Sequence, residues 1–147
     1  MKLFLSVFAA SCFAWAAPGD LAEVKTVYIL PMGGGLDQYL AVRLASTGTV
    51  QVVTDARGAD AIFTDRIGTE FEKTMGELYG VKDSEKDAAY AKVGGAGRGK
   101  GAIFLVDRKT RAVIWSAYEP AKSLQPDDLN RTAEKIVSKL DKDRKGK

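Results

Sequence analysis

The stretch Lys25-Thr26-Val27-Tyr28-Ile29-Leu30-Pro31-Met32-Gly33-Gly34-Gly35-Leu36 decides the fold. Its first six residues form an apolar, β-branched run closed by proline, which reads as a buried strand. Three glycines then make a loop. From Leu36 the apolar positions Leu36, Tyr39, Leu40 and Leu44 recur at helical spacing, and Gly48 supplies a C-terminal stop. Thr49 to Thr54 reads as a second strand, Asp55-Ala56-Arg57-Gly58 as a turn, and Ala61 to Ile67 as a third strand. Strand, helix, strand, strand is the expected order of the first half. The helix is long enough to carry a right-handed parallel crossover.

Outward from there the pattern changes. Thr69 to Tyr79 places Phe71, Met75 and Leu78 on one helical face. Residues 81–101 show no periodicity, with a charged run at 82–87 and five glycines between Gly94 and Gly101, so a flexible Gly-rich loop is expected. Ala102 to Val106 is a continuous apolar run of the central-strand kind, Asp107 to Thr110 turns the chain, and Arg111 to Tyr118 is the hairpin partner. Pro126-Asp127-Asp128 opens a helix with proline first and carboxylates at its positive end. Leu129, Ala133, Ile136, Val137 and Leu140 form its apolar stripe, and the polar tail from Asp141 is expected to fray. The class is α/β: a single mixed β-sheet of about five strands, in the order β-α-β-β-[α]-β-β-α, with helices packed on it. Residues 17–147 form one domain.

The first sixteen residues read as an address. Met1-Lys2, an apolar run and the small-x-small site Ala14-Trp15-Ala16 are the parts of a secretory signal peptide cleaved near Ala16. The apolar run is shorter than the roughly 20 residues a spanning helix needs, so no transmembrane segment is expected in the mature chain. A lipid anchor on Cys12 is the lesser alternative, because no leucine stands three residues before it and Phe13-Ala14-Trp15 continues the apolar run. The mature chain is therefore expected in the periplasm or secreted.

Composition narrows the chemistry. The 147 residues contain no histidine, which removes histidine-based triads and metal sites, and the only cysteine is Cys12. A net charge of +3, from 22 basic and 19 acidic residues, is too balanced for a nucleic-acid partner. Gly94 to Lys100 fits the start of a phosphate-binding loop, but Gly101 stands where a hydroxyl would hold magnesium, and a strand follows where a helix is needed. Asp55, Asp60 and Asp65 lack the alternate spacing of a calcium loop. Ser46, Ser84, Ser116, Ser123 and Ser138 have no nucleophile elbow around them. No catalytic residue, cofactor or metal is expected.

Several residues remain as candidates for an interaction surface. Gly33, Gly34 and Gly35 lie between a strand and a helix N-terminus, where backbone N–H groups can receive an anion, although a tight turn is the simpler role. Arg98 and Lys100 offer positive charge in the Gly-rich loop. Trp115 and Tyr118 fall on opposite faces of an alternating strand, so at least one is core and the other is open to a partner.

Gly-Leu-Asp-Gln-Tyr-Leu at 35–40, Val52-Val53-Thr54-Asp55, Ala59-Asp60-Ala61-Ile62-Phe63, and Asp107, Thr110, Trp115 and Ser116 together resemble a bacterial envelope domain. That group includes the amino-terminal domain of the Tol-system propeller protein and lipoprotein activators of penicillin-binding proteins. The resemblance spans about residues 24–140 and implies an exported mixed α/β domain that docks to other envelope proteins, with no catalytic residues to carry over. Arg111 departs from it, standing where a turn glycine is common. The resulting expectation is a non-enzymatic docking or accessory module with an envelope protein as partner. The alternative is a periplasmic small-molecule or glycan-binding protein using Gly33 to Gly35 and an exposed aromatic.

Overall fold

A computed structural model describes residues 20–80 and 100–146. The leader through Ala16, Cys12 and Arg98 lie outside the described residues, and of the Gly-rich connection at 81–101 only Lys100 and Gly101 lie within them. Five strands form one mixed sheet: β1 (Thr26–Ile29), β2 (Gln51–Val52), β3 (Ala61–Thr64), β4 (Ala102–Asp107) and β5 (Val113–Tyr118). Their order across the sheet is β2-β1-β3-β4-β5. β1 pairs in parallel with β2 and β3, whereas β4 is antiparallel to both its neighbours. Among the described residues there are three α-helices: α1 (Leu36–Thr47), α2 (Thr69–Tyr79) and α3 (Pro126–Lys145). The fold is α/β. Among the described residues no helix is long and apolar enough to cross a membrane.

Alternation along the strands builds two cores. Val27, Ala61, Phe63, Ile103, Leu105, Trp115 and Ala117 point to one face, where α1 brings Leu36, Leu40 and Leu44 and α3 brings Leu129, Ala133, Ile136, Val137 and Leu140. On the other face Ile62 and Val106 meet Phe71 and Met75 of α2. β3 is buried along its whole length because helices cover both its faces, as its unbroken apolar run requires.

Two strands are shorter than their sequence suggests. β2 keeps only Gln51 and Val52, since Val50 turns into the core beside α1 and Asp55 caps a one-turn 3-10 segment by accepting from Arg57 N at 2.9 Å. β3 stops at Thr64, whose hydroxyl donates to Arg66 O at 2.7 Å and accepts from Arg66 N at 3.1 Å. That local turn competes successfully with the ladder.

The tail is the larger correction. Instead of fraying at Asp141, α3 continues to Lys145 and is anchored. Asp143 Oδ2 accepts the indole N–H of Trp115 at 2.8 Å, and Arg144 donates to the backbone carbonyl of Thr49. A polar sequence marks a solvated end only when no buried donor needs a partner. Here Trp115 is such a donor.

The hairpin between β4 and β5 explains how Arg111 replaces a glycine. Asp107 Oδ1 accepts from Lys109 N, Thr110 N and the Thr110 hydroxyl within 3.1 Å, which fixes the turn. Arg111 then takes φ +61°, the left-handed region. Its guanidinium carbon lies 5.6 Å from the centre of the Tyr79 ring, and that of Arg108 lies 5.8 Å from it. Arg111 Nη1 is buried without a hydrogen-bond partner among the described residues, so the negative π face of Tyr79 is what compensates the guanidinium there.

Candidate functional site

The parallel strands β1 and β3 end at the same edge of the sheet, where β4 begins and β5 ends. The chain leaves β1 toward α1 on one face and leaves β3 toward α2 on the other. In open α/β sheets a crevice forms outside the carboxyl ends of strands at such a divergence, because neither connection covers it. A cleft of about 280 Å³ occupies this position. Gly33, Gly34 and Leu36 line it after β1, Asp65 after β3, Lys100, Gly101 and Ile103 at the start of β4, and Glu119 to Ala121 after β5. Leu124 and Leu129, before and inside the first turns of α3, close the remaining side.

The local sequence builds this cleft in three steps. Gly34 and Gly35 adopt φ +70° and +80°, which lets the chain reverse between the end of β1 at Ile29 and the start of α1 at Leu36. Asp37 secures the turn by accepting from Met32 N at 3.0 Å. At Gly101 the φ is +95°, and an added Cβ would stand 2.5 Å from Pro120 Cα. The ends of β4 and β5 therefore touch through backbone alone, joined by Glu119 N donating to Gly101 O at 2.8 Å.

Asp65 is the buried ionisable group of the cleft, with 6% of its surface exposed. Its Oδ2 accepts from Gly33 N at 3.2 Å and its Oδ1 meets Arg66 Nε at 3.4 Å. Arg66 itself is exposed and makes its shorter contact, 2.9 Å, with Glu70. Across the cleft from these, Leu124 is 62% exposed at the rim while Leu129 is buried at the back.

The sequence candidates separate on this geometry. Gly33, Gly34 and Lys100 come together in the cleft, and Gly35 caps α1 immediately behind it. Trp115 does not belong to any surface. It is 8% exposed, its ring packs edge-on against Phe63 at 6.3 Å, and its N–H is taken by Asp143. Tyr118 lies on the opposite face of β5, 67% exposed, with Val113 46% exposed on that same face. A register shift at Leu105/Val106 sets Val113 there, because Val113 pairs with Val106 whereas Trp115 pairs with Leu105. Of the other lining residues, the sequence offers Asp65 only as a discarded calcium ligand and Gly101 only as a departure from a phosphate loop, and it does not single out Glu119. A carboxylate closing the run Ala61-Ile62-Phe63-Thr64-Asp65 is the one signal that could have found the first of them.

Asp60, outside the cleft, serves the fold. Asp60 Oδ2 accepts from Lys25 N at 2.9 Å and Thr26 N at 3.0 Å, tying the start of β1 to the start of β3. Burial pushes the Asp60 carboxyl up, but those two N–H groups, the Thr26 hydroxyl and nearby Arg108 outweigh it and hold the group below its ordinary value. Among the described residues no three acidic or sulfur ligands gather to hold a metal ion. The cleft thus offers an apolar wall, charges of both signs and exposed backbone at its mouth. Compared with models of protein families, with curated proteins and with solved structures, the chain matches none.

Proposed function

We propose that this chain is a non-enzymatic, exported binding domain of the bacterial envelope, and that it holds a small molecule in the cleft at the carboxyl edge of β1 and β3. The observation that carries this reading is the coincidence of the cleft with the point where the connections of β1 and β3 diverge to opposite faces. Of the two functions expected from sequence, it favours the small-molecule alternative over docking. A sugar ligand is disfavoured, since none of the cleft's lining residues is aromatic and no ring is present for a glycan to stack on. The leader and the resemblance to envelope domains support export, and the absence of histidine supports binding without catalysis.

Amide spectra of the ¹⁵N-labelled protein, recorded against a panel of amino acids, sugars, carboxylates and amines, test this. Saturable shifts confined to Gly33, Gly34, Asp65 and Gly101 are expected with at least one solute. A panel without any such shift refutes the reading.

One observation favours docking as a second reading. Val113 and Tyr118 expose apolar side chains at the two ends of the outer face of β5, which α2 leaves open. An envelope protein captured by the wild type after cross-linking, and lost with Tyr118→Lys, is the result expected if that face docks a partner.

A further inference from the structure

The charges around the cleft are not equally satisfied. An ionised carboxylate has about four acceptor sites. Asp65, nine-tenths buried, fills them with one backbone N–H at 3.2 Å and one guanidinium N–H at 3.4 Å, both at the long end of hydrogen bonding. A buried charge so short of donors is costly unless something else supplies them. Lys100 and Glu119 face the same cleft, and among the described residues neither side chain forms an ion pair. The lining therefore carries two carboxylates and one ammonium. Leu36, Ile103, Leu124 and Leu129 supply an apolar wall beside them.

Resting on the small-ligand reading, we propose that the cleft is a site for a zwitterionic α-amino acid with an aliphatic side chain. The ligand ammonium supplies the donors that Asp65 lacks, with Glu119 adding to the negative field. Its carboxylate pairs with Lys100 across the cleft. The aliphatic side chain lies against the leucines and Ile103. A volume of about 280 Å³ admits one such molecule and lies just below the usual range of ligand sites, which begins at roughly 300 Å³.

The experiment uses the ¹⁵N-labelled full chain and four probes of one shape: L-leucine, isopentylamine without the carboxylate, 4-methylpentanoate without the ammonium, and neutral isopentanol. Leucine is expected to give saturable shifts at Gly33, Gly34 and Gly101, and each singly charged probe to bind at least tenfold more weakly. Asp65→Asn should weaken leucine at least tenfold while leaving isopentanol unchanged. Exposed Lys100→Gln should weaken leucine but not isopentylamine, and it keeps the proposal testable if the buried variant fails to fold. Isopentanol or either singly charged probe binding as tightly as leucine overturns the zwitterion assignment while leaving the cleft a ligand site. No saturable shift at those glycines with any of the four probes overturns the assignment, and the same silence across the wider panel overturns the cleft reading with it.

Discussion

Replacing Asp143 by alanine tests whether the end of α3 is structural. The bond it removes is 2.8 Å long, from a half-buried carboxylate to the indole N–H of a tryptophan that is 8% exposed. Hydrogen bonds to charged groups contribute about 1.5–3 kcal/mol, and this one serves the indole N–H of a nearly buried tryptophan. Against that loss stands a gain of about 0.5 kcal/mol, because an acidic residue in the last turn opposes the helix dipole and alanine favours the helix. The net expectation is a loss of about 1–2.5 kcal/mol. Trp115→Phe removes the same donor together with part of the contact with Phe63, so its cost is about 2 kcal/mol or more. In a double-mutant cycle the two changes should couple by about 1 kcal/mol, since each deletes the same bond. Urea unfolding followed by far-ultraviolet circular dichroism measures all four proteins without relying on the tryptophan. Additivity within 0.3 kcal/mol, or an Asp143→Ala cost below about 0.5 kcal/mol, would refute the view that the tail is anchored through Trp115.

Three further outcomes follow from the backbone and the charges. Gly101→Ala should cost about 3 kcal/mol or prevent folding, because its Cβ meets Pro120 backbone at 2.5 Å and φ is +95°; Gly34→Ala should cost only about 1–2 kcal/mol, as the atom it strikes at 2.7 Å is the mobile end of Leu124. Chemical denaturation of the two variants ranks them. Arg111→Gly should stay within about 1 kcal/mol of wild type, the relief of φ +61° offsetting the lost contact with Tyr79, whereas Arg111→Val should fall at least about 1 kcal/mol below the glycine variant. The folded Asp60 carboxyl titrates below its ordinary value of 3.8, so its stabilisation is complete above that value and is lost as pH falls through the lower folded one. Asp60→Asn should therefore flatten the acid limb of the stability curve, and an unchanged slope in that window counts against the Asp60 tether.

Much of the fold was legible because hydrophobic periodicity reports burial directly. The all-buried run of β3, the stripe of α3 and the caps at Gly48 and Pro126 each express one local rule. Sheet order was not legible. Nothing in Ala102 to Val106 says that it lies antiparallel beside β3, since that pairing depends on which faces α1, α2 and α3 cover. The cleft shares this difficulty. Gly33 and Gly34 announce themselves as a turn, but Asp65, Gly101 and Glu119 come from three separate strand ends and meet only once the sheet is assembled. The fate of the tail failed for a different reason. Asp143 and Arg144 look like solvent-facing charges until the indole of Trp115 and the carbonyl of Thr49, far away in sequence, are placed beneath them.

The anchoring of α3 has a consequence for the order in which the molecule can be made. Leu129, Ala133, Ile136, Val137 and Leu140 follow all five strands in sequence, yet they cover the face of the sheet built from Val27, Phe63 and Leu105. Arg144 then ties that final turn back to Thr49 and Ala22 at the start of the domain. A chain stopped before residue 126 leaves this apolar face open to water. That layer therefore closes only once residues 126–145 have emerged, and until then a nascent chain keeps an apolar face open to chaperones.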